Sequence, residues 1–261
     1  MSSMVCFTLR ETMKKTFAAL FFTLAVLGVC AAGCSYEESP QSKSVKRKEA
    51  FSHSEKSVIE ETVDIETLAK WHFLGFGEVT VDREENAVRC AEYKGSKGVT
   101  LLSPDSYNTR YLAISFRVKP ETFESVIIVM HSISDTRSGG AILIPENYDG
   151  GFEYWTRDVQ NYVCAFHNKA HDSVPYICRN PGMNILAKTD TLSVTEGEWH
   201  NVQIGRDGPR LWLEVDGTMV VEGTDSESEM LPGGSIAFRL RGTADGVASA
   251  LFKDVYISLQ K

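Results

Sequence analysis

The sequence predicts an all-β fold, a jelly-roll sandwich of two antiparallel sheets, and three observations carry that prediction. From about Trp71 to Lys261, short segments alternate or cluster β-branched and aromatic residues with a period of two. Gly, Asp, Asn and Pro separate these segments and supply turn chemistry. About ten such segments fall within one domain, which is the pattern of a sandwich. The only helix-compatible stretch is Ser57 to Lys70, with apolar Val58, Ile59, Val63, Ile65 and Leu68.

The chain is read from its start as three parts. Met13-Lys14-Lys15 opens an apolar run from Phe17 to Val29, followed by the small residues Ala31, Ala32 and Gly33 before Cys34. The run is shorter than the ~20 residues that span a bilayer, and its flanks are those of a secretory signal over residues 1–33 whose true start is Met13. It resembles a bacterial lipoprotein lipobox, with Ala31 where that motif prefers Leu, which implies a lipid on Cys34. Residues 34–60, rich in Ser, Lys and Glu, read as a flexible tether, and 61–261 as the jelly-roll domain. The expected location is the cell envelope, at the outer membrane or in the periplasm, with membrane contact through the lipid alone.

Lys and Arg number 27 against 35 Asp and Glu, a formal net charge of −8. An acidic surface disfavours nucleic acid and anionic headgroups as partners and leaves a polysaccharide or oligosaccharide open. No Gly-rich phosphate loop, nucleophile elbow or His-Glu-x-x-His occurs, so no cofactor is expected.

Within the domain the expected strands are "NAVRCAEY", "YLAISFRVKP", "SVIIVMHSIS", "GAILIPE", "VQNYVCAF", "WHNVQIGR", "PRLWLEVDG", "TMVVEG", "GSIAFRLRG" and "LFKDVYISL". Asp207-Gly208-Pro209 and Asp216-Gly217 turn three of them into a meander. The order W-H-x-V-x-I, L-x-V-D-G, G-x-I-x-F-R and F-K-D-V-Y-I resembles the concanavalin A-like lectin/glucanase superfamily. Within it, "NYVCAF", "RNPGMNILA" and "GSIAFR" resemble the YesU-like family, a domain of unknown function found among polysaccharide-utilisation genes. The resemblance implies a concave glycan-binding face and brings Arg239, on the closing strand, into the candidate site. Val163 stands where that family carries His, so it implies no catalytic role at that position.

Cys164, His167, His171 and Cys178 have a spacing that superficially suggests zinc, but such sites prefer tight ligand pairs on a turn, and no metal is expected. A Cys164–Cys178 disulfide and buried free thiols both remain open. On the strand containing them, Tyr162, Cys164 and Phe166 share one face and Asn161, Val163, Ala165 and His167 the other; either could face a cleft.

Candidate sugar contacts combine aromatic planes with fixed donors: Tyr154, Trp155 and Arg157 in "FEYWTR", Tyr162, and Arg179 with Asn180 in "CRNPG". Glu214 and Asp216 alternate onto one face, but Asp216-Gly217 is a hairpin turn. Glu146, Asp149 and Glu153 form an acid/base reserve, and His200 reads as an edge residue beside a core Trp199. Three functions remain: a glycan-binding module; a glycoside hydrolase or polysaccharide lyase, the latter using Tyr162 as base beside Arg179; and a structural envelope lipoprotein.

Overall fold

The computed structural model describes residues 58–135, 140–167, 174–191, 194–227, 229–244 and 246–260. The signal segment, Cys34, the tether up to residue 57 and His171 lie outside the described residues.

Two antiparallel sheets face each other. In chain order the strands are β1 (Val58–Val63), β2 (His72–Gly75), β3 (Gly77–Asp82), β4 (Ala87–Glu92), β5 (Val99–Leu102), β6 (Tyr111–Pro120), β7 (Val126–Asp135), β8 (Val159–Phe166), β9 (Tyr176–Asn180), β10 (Asn184–Lys188), β11 (His200–Asp207), β12 (Arg210–Val215), β13 (Thr218–Thr224), β14 (Ser235–Arg241) and β15 (Ser249–Gln260). The first sheet runs β13-β12-β11-β6-β15-β4-β3, with β1 also on β15; the second runs β10-β9-β8-β7-β14-β5-β2. The expected meander of β11, β12 and β13 is present, with Asp216 and Gly217 both at positive φ in its turn.

Three expectations are corrected. The stretch read as a helix from Ser57 starts as β1, because four of its six residues are β-branched and β15 offers a free ladder edge. A single turn, α1 (Ile65–Leu68), follows, capped by the Asp64 carboxylate accepting from Thr67 N at 2.8 Å. Val58, Ile59 and Glu60, assigned to the tether, are therefore part of the sheet. "GAILIPE" is no strand, although its alternation is real: Ile142 and Ile144 pack inward while Leu143 is 85% exposed. It lies across the second sheet rather than within it. "FEYWTR", which is not among the expected strands, forms a short helix, α2 (Glu153–Arg157).

The apolar residues divide into two clusters on opposite faces of the second sheet. Tyr162, Cys164, Phe166, Ile177, Ile236 and Phe238 meet Ile114, Phe116, Val202, Leu213 and Phe252 of the first sheet to form the main core. Ile128, Met130, Val163, Ala165, Cys178 and Ala237 point the other way and are covered by Ile142, Ile144, Tyr148, Phe152, Tyr154 and Trp155. Both faces of β8 are thus buried, so neither is an open cleft wall.

This arrangement decides the cysteines. Cys178 lies opposite Val163 in the ladder and Cys164 opposite Ile177, so their side chains leave opposite faces of the sheet. They are free thiols, as is Cys90, and the disulfide is excluded; the same opposition prevents the two sulfurs from sharing one metal ion. Burial pushes the Cys90 and Cys178 thiols up to about 12 and raises Cys164 as well. All three are expected to resist alkylation in the native protein and react on unfolding; mass spectrometry of the labelled peptides checks this.

Candidate functional site

The segment from Ala141 to Asp158 covers the outer face of the second sheet. α2 sits on it with Trp155 fully buried, its Nε1 donating to Tyr148 Oη at 2.7 Å. Tyr154 packs edge-on against Trp155 at 5.1 Å and against Tyr148 at 5.6 Å between ring centroids. The Tyr154 hydroxyl donates to Leu143 O at 3.0 Å and leaves one side of the ring half-exposed.

The outer surface of this cover holds a depression of about 590 Å³, lined by Tyr148, Phe152, Tyr154, Lys97, Arg157 and Arg241 together with Asp149, Glu153 and Asp158. A second depression of about 390 Å³ shares Tyr154, Arg157 and Asp158 with it. Lys97 and Asp149 pair at 2.6 Å, and Arg157 and Glu153 at 3.6 Å, one helical turn apart. Hydrogen bonding from Lys97 holds the Asp149 carboxyl below its usual range, which makes it a poor general acid.

Arg239 lies beneath the depression, 1% exposed. It alternates with Phe238 and Leu240 and so points away from the main core, toward the cover. Its Nη2 donates to Lys97 O at 2.8 Å and its Nη1 to Thr100 Oγ1 at 3.4 Å, and the Phe152 ring stands 5.2 Å from the guanidinium carbon. Burial lowers its pKa from the ordinary guanidinium value.

The remaining predicted contacts lie elsewhere. Tyr162, 0% exposed, points into the main core and donates to Asp225 Oδ2 at 2.5 Å, while Arg179 Nη1 reaches the same oxygen at 2.6 Å. The two residues named as a lyase pair do come together, but around a buried acid between the sheets. Burial, with the hydrogen bond to Asp225 adding to it, pushes the Tyr162 hydroxyl up to about 12, the wrong direction for a base. Asn180 is buried; its Nδ2 donates to Asn161 Oδ1 at 2.9 Å and its Oδ1 accepts from Met183 N at 3.0 Å across the cis Asn180-Pro181 turn. Trp155, Tyr162, Asn180 and Arg239 thus have no free surface for a ligand as the cover stands, and Tyr154 and Arg157 do.

The chemistry-bearing candidates set aside from the sequence are also placed. His200 bridges Asp216 Oδ2, 2.8 Å from Nδ1, and Thr195 N, which donates to Nε2 at 2.9 Å, so it staples the loop before β11. Trp199 is not core: it is half-buried, with Lys253 Nζ 4.0 Å and Arg117 5.3 Å from its ring. Lys97, Tyr148, Phe152, Asp158 and Arg241 were missed. Only Arg241 left a signal in sequence, being two residues beyond Arg239 and hence on the same strand face.

No family model matches the chain, and no curated protein does. Solved structures do match. A Bacillus subtilis protein of unknown function described as having a galectin-like fold superposes with a TM-score of 0.63 at 12% identity, over 77% of this chain and 96% of that one. The fold is a lectin-type sandwich. Peanut lectin matches with a TM-score of 0.54 at 10% identity over 78% and 99% of the two chains. The carbohydrate recognition domain of Emp46p in its metal-free form gives 0.53 at 8% identity over 76% and 95%. At these identities the likeness concerns the fold alone.

Proposed function

We propose that this protein is a carbohydrate-binding module of the bacterial envelope, related to the YesU-like domains, lipid-anchored through Cys34 and acting in polysaccharide utilisation. The observation that carries the reading is the depression over the second sheet, where Tyr148 and Tyr154 stand beside Lys97, Arg157 and Arg241. Aromatic planes stack on the apolar faces of sugar rings and cationic forks fix hydroxyls and carboxylates, which is the chemistry of glycan recognition. The names of two fold neighbours, a lectin and a carbohydrate recognition domain, support it.

A catalytic reading has less to stand on, because Asp149 is tied to Lys97 and Tyr162 is buried away from the depression. The test is titration of the purified protein with plant and algal polysaccharides while reducing ends and unsaturated uronates are followed. Retention without product is the expected result; product would transfer the reading to an enzyme, and retention of no glycan to a structural lipoprotein. Tyr154→Ala and Arg157→Ala are each expected to weaken binding about tenfold, a loss of ~1.4 kcal/mol, with the melting temperature little changed for the exposed Arg157.

A further inference from the structure

We propose that Arg239 is the floor of a covered anion subsite, and that a carboxylate-bearing sugar entering from the depression displaces the Phe152 ring to pair with its guanidinium. This rests on the carbohydrate-binding reading and narrows it to acidic glycans.

Four observations converge. First, Arg239 is a buried cation with no carboxylate within ion-pair distance among the described residues: its hydrogen bonds go to the Lys97 carbonyl and the Thr100 hydroxyl, its Nε has no partner, and Glu92 and Asp149 act on it only from farther away. A buried charge left in this state costs folding energy that an apolar side chain of similar size would not, a cost that a carboxylate arriving from the depression would offset. Second, the backbone is shaped to admit it. A Cβ on Gly98 would stand 2.4 Å from Arg239 Nη2, and one on Gly150 would stand 2.0 Å from Gly98 O, with φ of +119° and +85° at the two positions.

Third, what separates the guanidinium from the depression is a roof without a ladder. Phe152 and Gly151 line the depression on its outer side while the Phe152 ring lies on Arg239 on its inner side. Apart from backbone bonds such as those of α2 and the one from Gly182 N to Thr156 O, this stretch is held by side chains, among them the Lys97–Asp149 pair, whose partners are more than half exposed. An ion pair so exposed resists little. Fourth, the charges already in the depression do not select an anion, because Lys97 and Arg157 are each matched by an acid. Arg241, half-buried and donating from Nε to Gly242 O, has no carboxylate at contact among the described residues and would supply a second fork beside Arg239. The volume, about 590 Å³, lies in the range of small-ligand sites.

The experiment is calorimetric titration of the full chain with polygalacturonate and alginate oligosaccharides, each beside its carboxyl-reduced counterpart. At least about tenfold preference for one carboxylated form is expected. Phe152→Ala, which removes the roof, should strengthen binding of that form, and Arg239→Met should bring it down to the level of the reduced glycan. Equal binding of acidic and reduced forms by the wild type would overturn the subsite and leave the carbohydrate-binding reading in place. Equal weakening of both forms by Arg239→Met would also overturn it, marking the arginine as structural. Binding of neither form, when no neutral polysaccharide binds either, discards the carbohydrate-binding reading and the subsite together.

Discussion

Replacing Asp225 by alanine is expected to lower the unfolding free energy by about 3–5 kcal/mol, read as a fall in the urea midpoint at unchanged slope. The carboxylate has no exposed surface and accepts from Tyr162 Oη, Arg179 Nη1 and Glu227 N, the last at 3.1 Å. Removing it leaves Arg179, only 18% exposed, without its counter-charge, and leaves the Tyr162 hydroxyl without an acceptor beneath the main core. Arg206 cannot compensate. Its guanidinium is committed to the carbonyls of Thr109, Leu231 and Pro232, and it adds a second positive charge 6.0 Å from the Tyr162 ring. Asp225→Asn keeps the volume and one acceptor and should lose about half as much. A loss under about 1 kcal/mol for the alanine variant would mean that water already screens the cluster.

That network explains how far the sequence could be read. Alternation along β6, β8, β11, β12, β14 and β15 identified a sandwich because ladder-paired strands keep a strict period of two, and those segments occur where expected. The same signal misled at Ala141 to Pro145, where Ile142 and Ile144 alternate with Leu143 against a sheet face instead of within a sheet. Periodicity reports which side is buried, not what buries it. Both faces of β8 being apolar was visible in "NYVCAF", yet the meaning of the second face, a cover, depends on a segment that follows β7 and has no ladder of its own. For the site, "FEYWTR" was found by its residue types, and Tyr154 and Arg157 do line the depressions. Tyr162 and Arg179 come together because they stand opposite each other in the β8–β9 ladder, a register the sequence did not reveal, and Asp225, 46 positions from Arg179 and just beyond β13, accepts from both. Lys97, from a loop before β5, is brought to Asp149 by contacts over 52 positions, beyond any local pattern.

The second large effect is expected at Trp155, where alanine should cost about 3–5 kcal/mol, through a route different from that of Asp225. The indole is the largest fully buried side chain of the cover, donates to Tyr148 Oη at 2.7 Å, and stacks edge-on under Tyr154. Its removal opens a void beneath α2 and leaves the Tyr148 hydroxyl without its donor, so Tyr148 and Tyr154 lose the surface that orients them. The main core lies on the other side of the second sheet and does not touch this cluster. Damage should therefore be local first. Hydrogen exchange is expected to accelerate at the amides of Thr156 and Asp158, bonded to the carbonyls of Phe152 and Tyr154, before the amides of β6 and β11 respond. The proposed glycan binding should disappear with the cover even where the sandwich persists, since most of the depression's lining belongs to the cover, with only Lys97 and Arg241 coming from beneath it. Trp155→Phe, which keeps a ring but not the N–H, should retain the cover at a cost of about 1–2 kcal/mol. If exchange in Trp155→Ala instead rises uniformly through both sheets, the cover is not a separable unit, and a roof that opens over Arg239 would have to carry the whole sandwich with it.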